Sequence, residues 1–196
     1  MHRVAHTVFF VGKPGCGKGT QAKRLAEVTG WPMFSSGGLL RALEEEDTPI
    51  GRRLKKQLAE GTLSPHWLAM YLYLKSLFSI DTKQSAIFDG FNRKVPEAEL
   101  IVDSLSWLER SFSIILIKIS DEEAHRRIEG RSQGGARSDD HVVAERLAAF
   151  YEHTEPAIEI FRDAGVLLEI DGEQSPEAVF AAVKRALALE LAPQSA

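Results

Sequence analysis

Nine residues near the N-terminus, Gly-Lys-Pro-Gly-Cys-Gly-Lys-Gly-Thr at positions 12–20, constrain this chain more than any other stretch. The apolar run 8–11 before them reads as a strand buried on both faces. Residues 18–28 after them have a helical period, with Leu25 and Val28 on the face that also carries Gln21. Gly-x4-Gly-Lys between a buried strand and a helix is the pattern of a phosphate-binding loop. Glycines let the backbone wrap close to an oxyanion, successive N–H groups point inward, and the positive end of the following helix dipole adds to the attraction. Gly15, Cys16, Gly17 and Gly19 then form the cradle, Lys18 reaches the β- and γ-phosphates of a nucleoside triphosphate, and Thr20 lies near Mg²⁺. An ordinary strand-to-helix turn would need neither four glycines nor a lysine at this spacing.

Beyond the loop, strands and helices alternate. Residues 33–34 read as a brief strand after Pro32, and Ser36-Gly37-Gly38 as a helix start before Leu39, Leu40 and Leu43. A helix over 50–60 stops at Gly61, and Pro65 suits the first turn before a helix over 67–78. Strands are predicted over 86–89, 112–119 and 166–170, and the β-branched isoleucines of the second suit a parallel sheet buried on both faces. Helices are predicted over 96–109, 121–129 and 141–164, the last bent or divided near Pro156, with a polar, glycine-containing excursion over 130–140. A closing helix over 175–191 has Ser175 as N-cap and Pro176 at its first position. This order predicts an α/β fold, a five-stranded parallel sheet flanked by helices. Trp67, Trp107 and Phe112 are expected in the core, and Arg52, Arg53 and Arg110 as solvated helix charges.

With 196 residues, 44% of them apolar, the chain suits one compact domain with a sizeable core. A net charge of −4 argues against a surface that coats nucleic acid. The single cysteine, Cys16, excludes an internal disulfide and fits a reducing compartment. The first eleven residues run straight into the loop without room for a signal peptide, and no run approaches a membrane span. The expected setting is soluble and cytoplasmic, with no nucleic-acid or membrane partner.

The fuller pattern Gly-x-Pro-Gly-x-Gly-Lys-Gly-Thr-Gln at 12–21, with Gly19 rather than Ser or Thr after the lysine, resembles the adenylate kinase family of nucleoside monophosphate kinases. The likeness runs through nearly the whole chain. Ser35-Ser36-Gly37-Gly38-Leu39-Leu40-Arg41 is similar to the family's Ser-Thr-Gly-Asp-x-Leu-Arg segment, whose arginine grips the monophosphate. Residues 61–65 are similar to the turn closing the acceptor pocket, and Asp89-Gly90-Phe91-Asn92-Arg93 resembles Asp-Gly-(Phe/Tyr)-Pro-Arg. Arg127 and Arg131 match arginines on the ATP side, Arg137-Ser138-Asp139-Asp140 resembles the mobile lid, and Arg146 matches a further phosphate-binding arginine. The resemblance implies one domain over 1–196: a core of 1–34, 66–130 and 141–196, an acceptor-binding segment 35–65 and a short lid 131–140. It implies a monomer that moves the γ-phosphoryl of ATP to a monophosphate, AMP first.

Elementary chemistry agrees with that implication. Phosphoryl transfer needs in-line positioning and neutralisation of spreading charge more than covalent chemistry. Arg41, Arg93, Arg131, Arg137 and Arg146 carry planar forks matched to phosphate oxygens. Asp89, ending a buried strand, is placed to hold Mg²⁺ through water. The excursion over 131–140 has no Cys or His cluster, so no zinc is expected, and His66, His125, His141 and His153 show no metal spacing.

Some positions depart from the family pattern. Asn92 replaces a proline, Gly38 an aspartate and Ser36 a threonine. Four residues beyond Arg93, where adenylate kinases carry a glutamine that reads adenine, stands Glu97, which when ionised can only accept. It would suit a base presenting two donors, as guanine does, or it simply caps the helix begun near Pro96. The same reaction on GMP, CMP, UMP or a deoxynucleotide, or a nucleotide-binding sensor with little turnover, stays open at this point.

Overall fold

The computed structural model describes residues 5–59, 64–131 and 143–189. Strand β1 (His6–Val11) leads through the glycine loop into α1 (Lys18–Thr29). Then come β2 (Met33–Ser35), α2 (Ser36–Glu44), α3 (Pro49–Ala59), α4 (His66–Phe78), β3 (Ala86–Asp89), α5 (Val95–Trp107) and β4 (Ser111–Lys118). α6 (Asp121–Arg131), α7 (Val143–Ala149), a π-helical turn (Phe150–Thr154), α8 (Glu155–Asp163), β5 (Leu167–Asp171) and α9 (Pro176–Ala186) complete the described chain. The five strands are parallel in the order β2-β3-β1-β4-β5. The predicted α/β fold is therefore the observed one.

Alternation along each central strand divides the core between the two sheet faces. Phe9 and Val11 join Phe88, Ile114 and Leu116 under α4, α5 and α8. Val8 and Phe10 join Ile87, Ile115 and Ile117 under α1 and α9. Each fully buried side chain of this size contributes about 1.5–3 kcal/mol relative to exposure. The first face is dominated by rings. Phe88 lies 5.1 Å from both Phe9 and Phe34, 5.4 Å from Tyr73 and 5.6 Å from Phe91, centroid to centroid. This cluster fixes the end of β3, where Asp89 and Gly90 emerge.

The sheet order places the site. β1 is flanked by β3 on one side and β4 on the other, so the chain turns in opposite directions from it. In open parallel sheets, ligands bind in the crevice beyond the carboxyl ends of the strands at such a switch point. Gly12, Ser35 and Asp89 all stand there.

Several expectations need correction. Trp67 is 57% exposed and Trp107 81%, so neither is a core residue, while Phe112 is half-buried against the core. Trp67 lies in the first turn of α4 and Trp107 is the last residue of α5. Arg52 and Arg53 are solvated as expected, but Arg110 is not. It follows α5, and its Nε donates to Thr7 Oγ1 on β1 at 2.6 Å, with further bonds to the carbonyls of Gln84 and Asp81. The long helix expected over 141–164 is divided near Pro156, by the π-helical turn. The closing helix ends at Ala186 rather than 191, because Ala188 takes a left-handed conformation with φ 48°.

Candidate functional site

The loop between β1 and α1 is shaped for an anion. Gly12, Gly15 and Gly17 have φ of 145°, 80° and 94°. At Gly12 a side chain is excluded twice, since a Cβ would lie 2.4 Å from the Ile117 carbonyl oxygen and 2.8 Å from Cys16 Sγ. Gly17 caps α1 without a side-chain hydrogen bond, and the first turn has no acidic residue. Its backbone N–H groups and dipole are thus left for a ligand. Lys18 Nζ donates to the carbonyls of Gly12 at 2.6 Å and Lys13 at 2.9 Å, and lies 3.5 Å from Cys16 Sγ. These bonds hold the ammonium across the loop mouth. Cys16 itself is buried, 2% exposed, between the loop and the sheet.

Beyond the loop a cavity of about 790 Å³ runs between α1, α2 and the end of β3. Gly15, Gly17, Lys18, Gly19 and Thr20 line one end. Asp89 stands beside them, its Oδ2 3.5 Å from where a Cβ on Gly19 would be. The Asp89 carboxylate accepts no hydrogen bond among the described residues, so its oxygens remain available. Among those residues no cluster of three or more His, Cys, Asp or Glu could hold a metal by itself. The donor set of Asp89, Thr20 and phosphate oxygens fits a hard Mg²⁺ ion that keeps several waters.

Ser36, Arg41, Gly90, Arg93, Glu97 and Arg146 line the rest of the cavity. Ser36 Oγ donates to the Gly90 carbonyl at 2.7 Å, which locks α2 to the turn after β3. The guanidinium of Arg93 folds over Gly90, with Nη2 2.7 Å from where a Cβ would stand, and Gly90 has φ 82°. A side chain at residue 90 would therefore displace Arg93. Arg41 lies similarly over Gly37, Nη1 being 3.1 Å from a Cβ placed there. Lys94 Nζ donates to the Ser64 carbonyl at 2.9 Å and joins the start of α5 to this wall.

Glu97 is 3% exposed, and its Oε2 accepts from the N–H groups of Arg93 at 2.8 Å and Lys94 at 3.1 Å. It caps α5 and lines the cavity at once. Burial pushes its pKa up, against the pull of those hydrogen bonds and of the Arg93 and Lys94 charges. A carboxyl whose folded pKa is raised binds protons more readily when folded, so stability falls as pH rises above the ordinary value of 4.5 and through the folded pKa. Glu97→Gln removes that dependence. Its stability relative to wild type, measured by denaturant unfolding from pH 4 to 8, is expected to rise with pH; a flat difference would contradict the burial effect.

A second cavity of about 500 Å³ opens on the other side of the loop, between α6, the Gly172–Ser175 turn and α9. Gly15, Gly17 and Thr20 line both, so the two cavities meet at the glycine loop, and Cys16 borders the smaller one. Arg127 stands at its edge, donating to Glu123 Oε1 at 2.5 Å and to the Gly172 carbonyl at 2.8 Å. Hydrogen bonds from Arg126 and Arg127 hold the Glu123 carboxyl down at about 2. Gln21 Nε2 donates to the Pro176 carbonyl at 3.0 Å on the same side.

The expected loop, Ser36, Arg41, Asp89, Gly90, Arg93, Glu97, Arg127 and Arg146 thus line two cavities that share the glycine loop. Arg137, most of the lid and residues 60–63 lie outside the described residues, as does the side chain of Arg131. One tie at the site is absent from the sequence reading. Lys13 Nζ bonds Asp121 Oδ1 at 2.5 Å and sits 5.2 Å from the Tyr151 ring centroid, and Tyr151 donates to the same carboxylate at 2.7 Å. Burial opposes the Lys13 charge, but the bonds to Asp121 and Tyr151 outweigh it and raise its pKa. The loop is thereby fastened to the start of α6 and to the π-helical turn. The helical period gives no hint of this tie, because 108 positions separate Lys13 from Asp121.

Sheet order, glycine loop and uncapped α1 define a P-loop nucleotide-binding protein. The adenylate kinase family model matches residues 10–166. An adenylate kinase of Thermus thermophilus is 36% identical over 189 residues, covering 95% of this chain and 99% of that protein. One from Maricaulis maris is 35% identical over 185 residues, covering 92% and 97%, and one from Chlamydia felis 32% identical over 203 residues, covering 90% and 95%. The chain belongs to the adenylate kinase family and is a nucleoside monophosphate kinase.

Proposed function

We propose that the enzyme transfers the γ-phosphoryl group of ATP, bound with Mg²⁺, to AMP and yields two molecules of ADP. The observation that carries this reading is the continuity of the larger cavity, which joins the phosphate loop to the walls bearing Arg41, Arg93 and Arg146. The smaller cavity beside Arg127 takes the donor nucleoside, and the loop N–H groups hold its phosphates. Lys18 gives up a loop carbonyl to meet the β- and γ-phosphates. Arg41 and Arg93 hold the AMP phosphate in line with the γ-phosphorus, and Arg146 faces the transferring group between them.

An AMP phosphate oxygen attacks the γ-phosphorus as the bond to the β–γ bridging oxygen breaks, and the bridging oxygen's charge stays on the ADP that leaves. No general base is required, because the attacking phosphate oxygen is already ionised. Thr20 and Asp89 would hold Mg²⁺, which when bound would neutralise charge on the phosphates. Arg131 and Arg137 complete the cationic set in this reading, and closure of the 131–140 lid excludes water as acceptor. Segment 35–65 forms the acceptor side. The proposed setting is a cytoplasmic monomer serving nucleotide synthesis. No described helix is long and apolar enough to cross a membrane.

The test is a coupled assay with Mg·ATP and a panel of AMP, GMP, CMP, UMP and their deoxy forms. The expected outcome is that AMP has the highest kcat/KM of the panel. ADP formed faster from another monophosphate would overturn the choice of AMP, and none formed from any acceptor would overturn the reaction.

A further inference from the structure

Asn92 is anomalous because nothing among the described residues bonds its side chain. It is fully buried, and neither Nδ2 nor Oδ1 has a hydrogen-bond partner among the described residues. A buried amide with its donors and acceptor unmet is a costly arrangement that native proteins seldom leave unresolved. Its chain neighbours are held in place. Phe91 before it is packed 5.6 Å from Phe88 in the ring cluster, and Arg93 after it is held by its N–H on Glu97 at 2.8 Å. Asn92 nevertheless lines the larger cavity, as do Ser64, Ala69 and Glu97.

The chemistry of this wall is incomplete without that amide. Oε2 of Glu97 is taken by two peptide N–H groups, which leaves Oε1 to accept from a ligand. In its ionised form the carboxylate can donate nothing. The adenine amino group is a donor, and each ring nitrogen flanking it is an acceptor that Glu97 cannot serve. An asparagine amide carries the missing N–H. Guanine would instead ask Glu97 for two acceptors toward adjacent donors, and Oε2 is already committed.

We infer that Asn92 is a specificity-determining residue of the acceptor site, turning its amide into the cavity to donate from Nδ2 to a ring nitrogen beside the adenine amino group, while Glu97 accepts from that amino group. The inference rests on AMP being the acceptor, as proposed above. The amide left without a protein partner is met by the base.

The experiment measures KM at saturating Mg·ATP for AMP, 1-deaza-AMP and 7-deaza-AMP, the two analogues each lacking one of the flanking nitrogens. Wild type is expected to discriminate against one analogue by about tenfold or more, the effect of one lost hydrogen bond to a site built for it. In Asn92→Ala the discrimination is expected to fall to within about twofold, with KM for ATP unchanged, since only the donor to that nitrogen is gone. Should the alanine variant not fold, Asn92→Leu, similar in volume but without polar atoms, gives the same comparison. Equal analogue discrimination in wild type and variant, with the variant merely more stable, would overturn the assignment, because removal of an unmet amide alone gives that result. A wild-type enzyme that forms no ADP from AMP would overturn the acceptor reading and this inference with it. Turnover of AMP with an unchanged ratio removes Asn92 alone.

Discussion

Replacing Lys18 by alanine is expected to lower kcat by about 10³-fold or more while the protein stays folded. The two consequences differ in size for a physical reason. Lys18 makes two hydrogen bonds to loop carbonyls, at 2.6 and 2.9 Å. Each contributes about 1 kcal/mol net to stability. In the transition state the same ammonium meets charge spreading over the β- and γ-oxygens, and a 10³-fold loss corresponds to about 4 kcal/mol of barrier. Activity therefore falls much further than stability. Steady-state kinetics beside a thermal melt separates the two. Undiminished turnover would refute the role given to the loop, and loss of the folded state would show that Lys18 is chiefly structural.

The second large effect lies beneath the site. Phe88→Ala is expected to destabilise the protein by about 3–5 kcal/mol, as truncation of a fully buried phenylalanine does. Phe88 has no exposure and touches the rings of Phe9, Phe34, Tyr73 and Phe91, from two strands, a helix and the turn after β3. Those neighbours are too mutually constrained to collapse into the gap. For a chain of this length each kcal/mol corresponds to about 2–4 °C, so the melting temperature should drop by roughly 10 °C. Asp89 is the next residue on β3, so loss of this packing is also expected to lower kcat in the molecules that remain folded. A melting temperature within about 2 °C of wild type would show that the ring cluster is not the anchor of β3.

How much of this was legible beforehand follows from the range of each signal. The buried strand, glycine loop and α1 are local, and their pattern alone marks the phosphate site. The arginines and Asp89 were legible because they sit in short motifs, and the structure brings Arg41, Arg93 and Arg146 to one cavity. Helical period did not say where a helix leaves the core, so Trp67 at the start of α4 and Trp107 at the end of α5 were misplaced. Arg110 was misread for another reason. Its partner Thr7 lies 103 positions away, and only the folded sheet brings β1 beside the end of α5. Glu97 offered two readings as a sequence, and the geometry joins them, since one oxygen caps α5 in a side chain that also faces the acceptor cavity. The want of partners at Asn92 depends on what surrounds it, which no local pattern reports.

In the proposed reaction the larger cavity carries a phosphoryl group from ATP to AMP. This is tested most directly by incubating the enzyme with ATP labelled at the γ-phosphorus, Mg²⁺ and unlabelled AMP, and following the label. The label should pass into the β-position of ADP, at a rate that depends on AMP and vanishes in Lys18→Ala. Label released as inorganic phosphate, or retained in ATP whatever the AMP concentration, would contradict it.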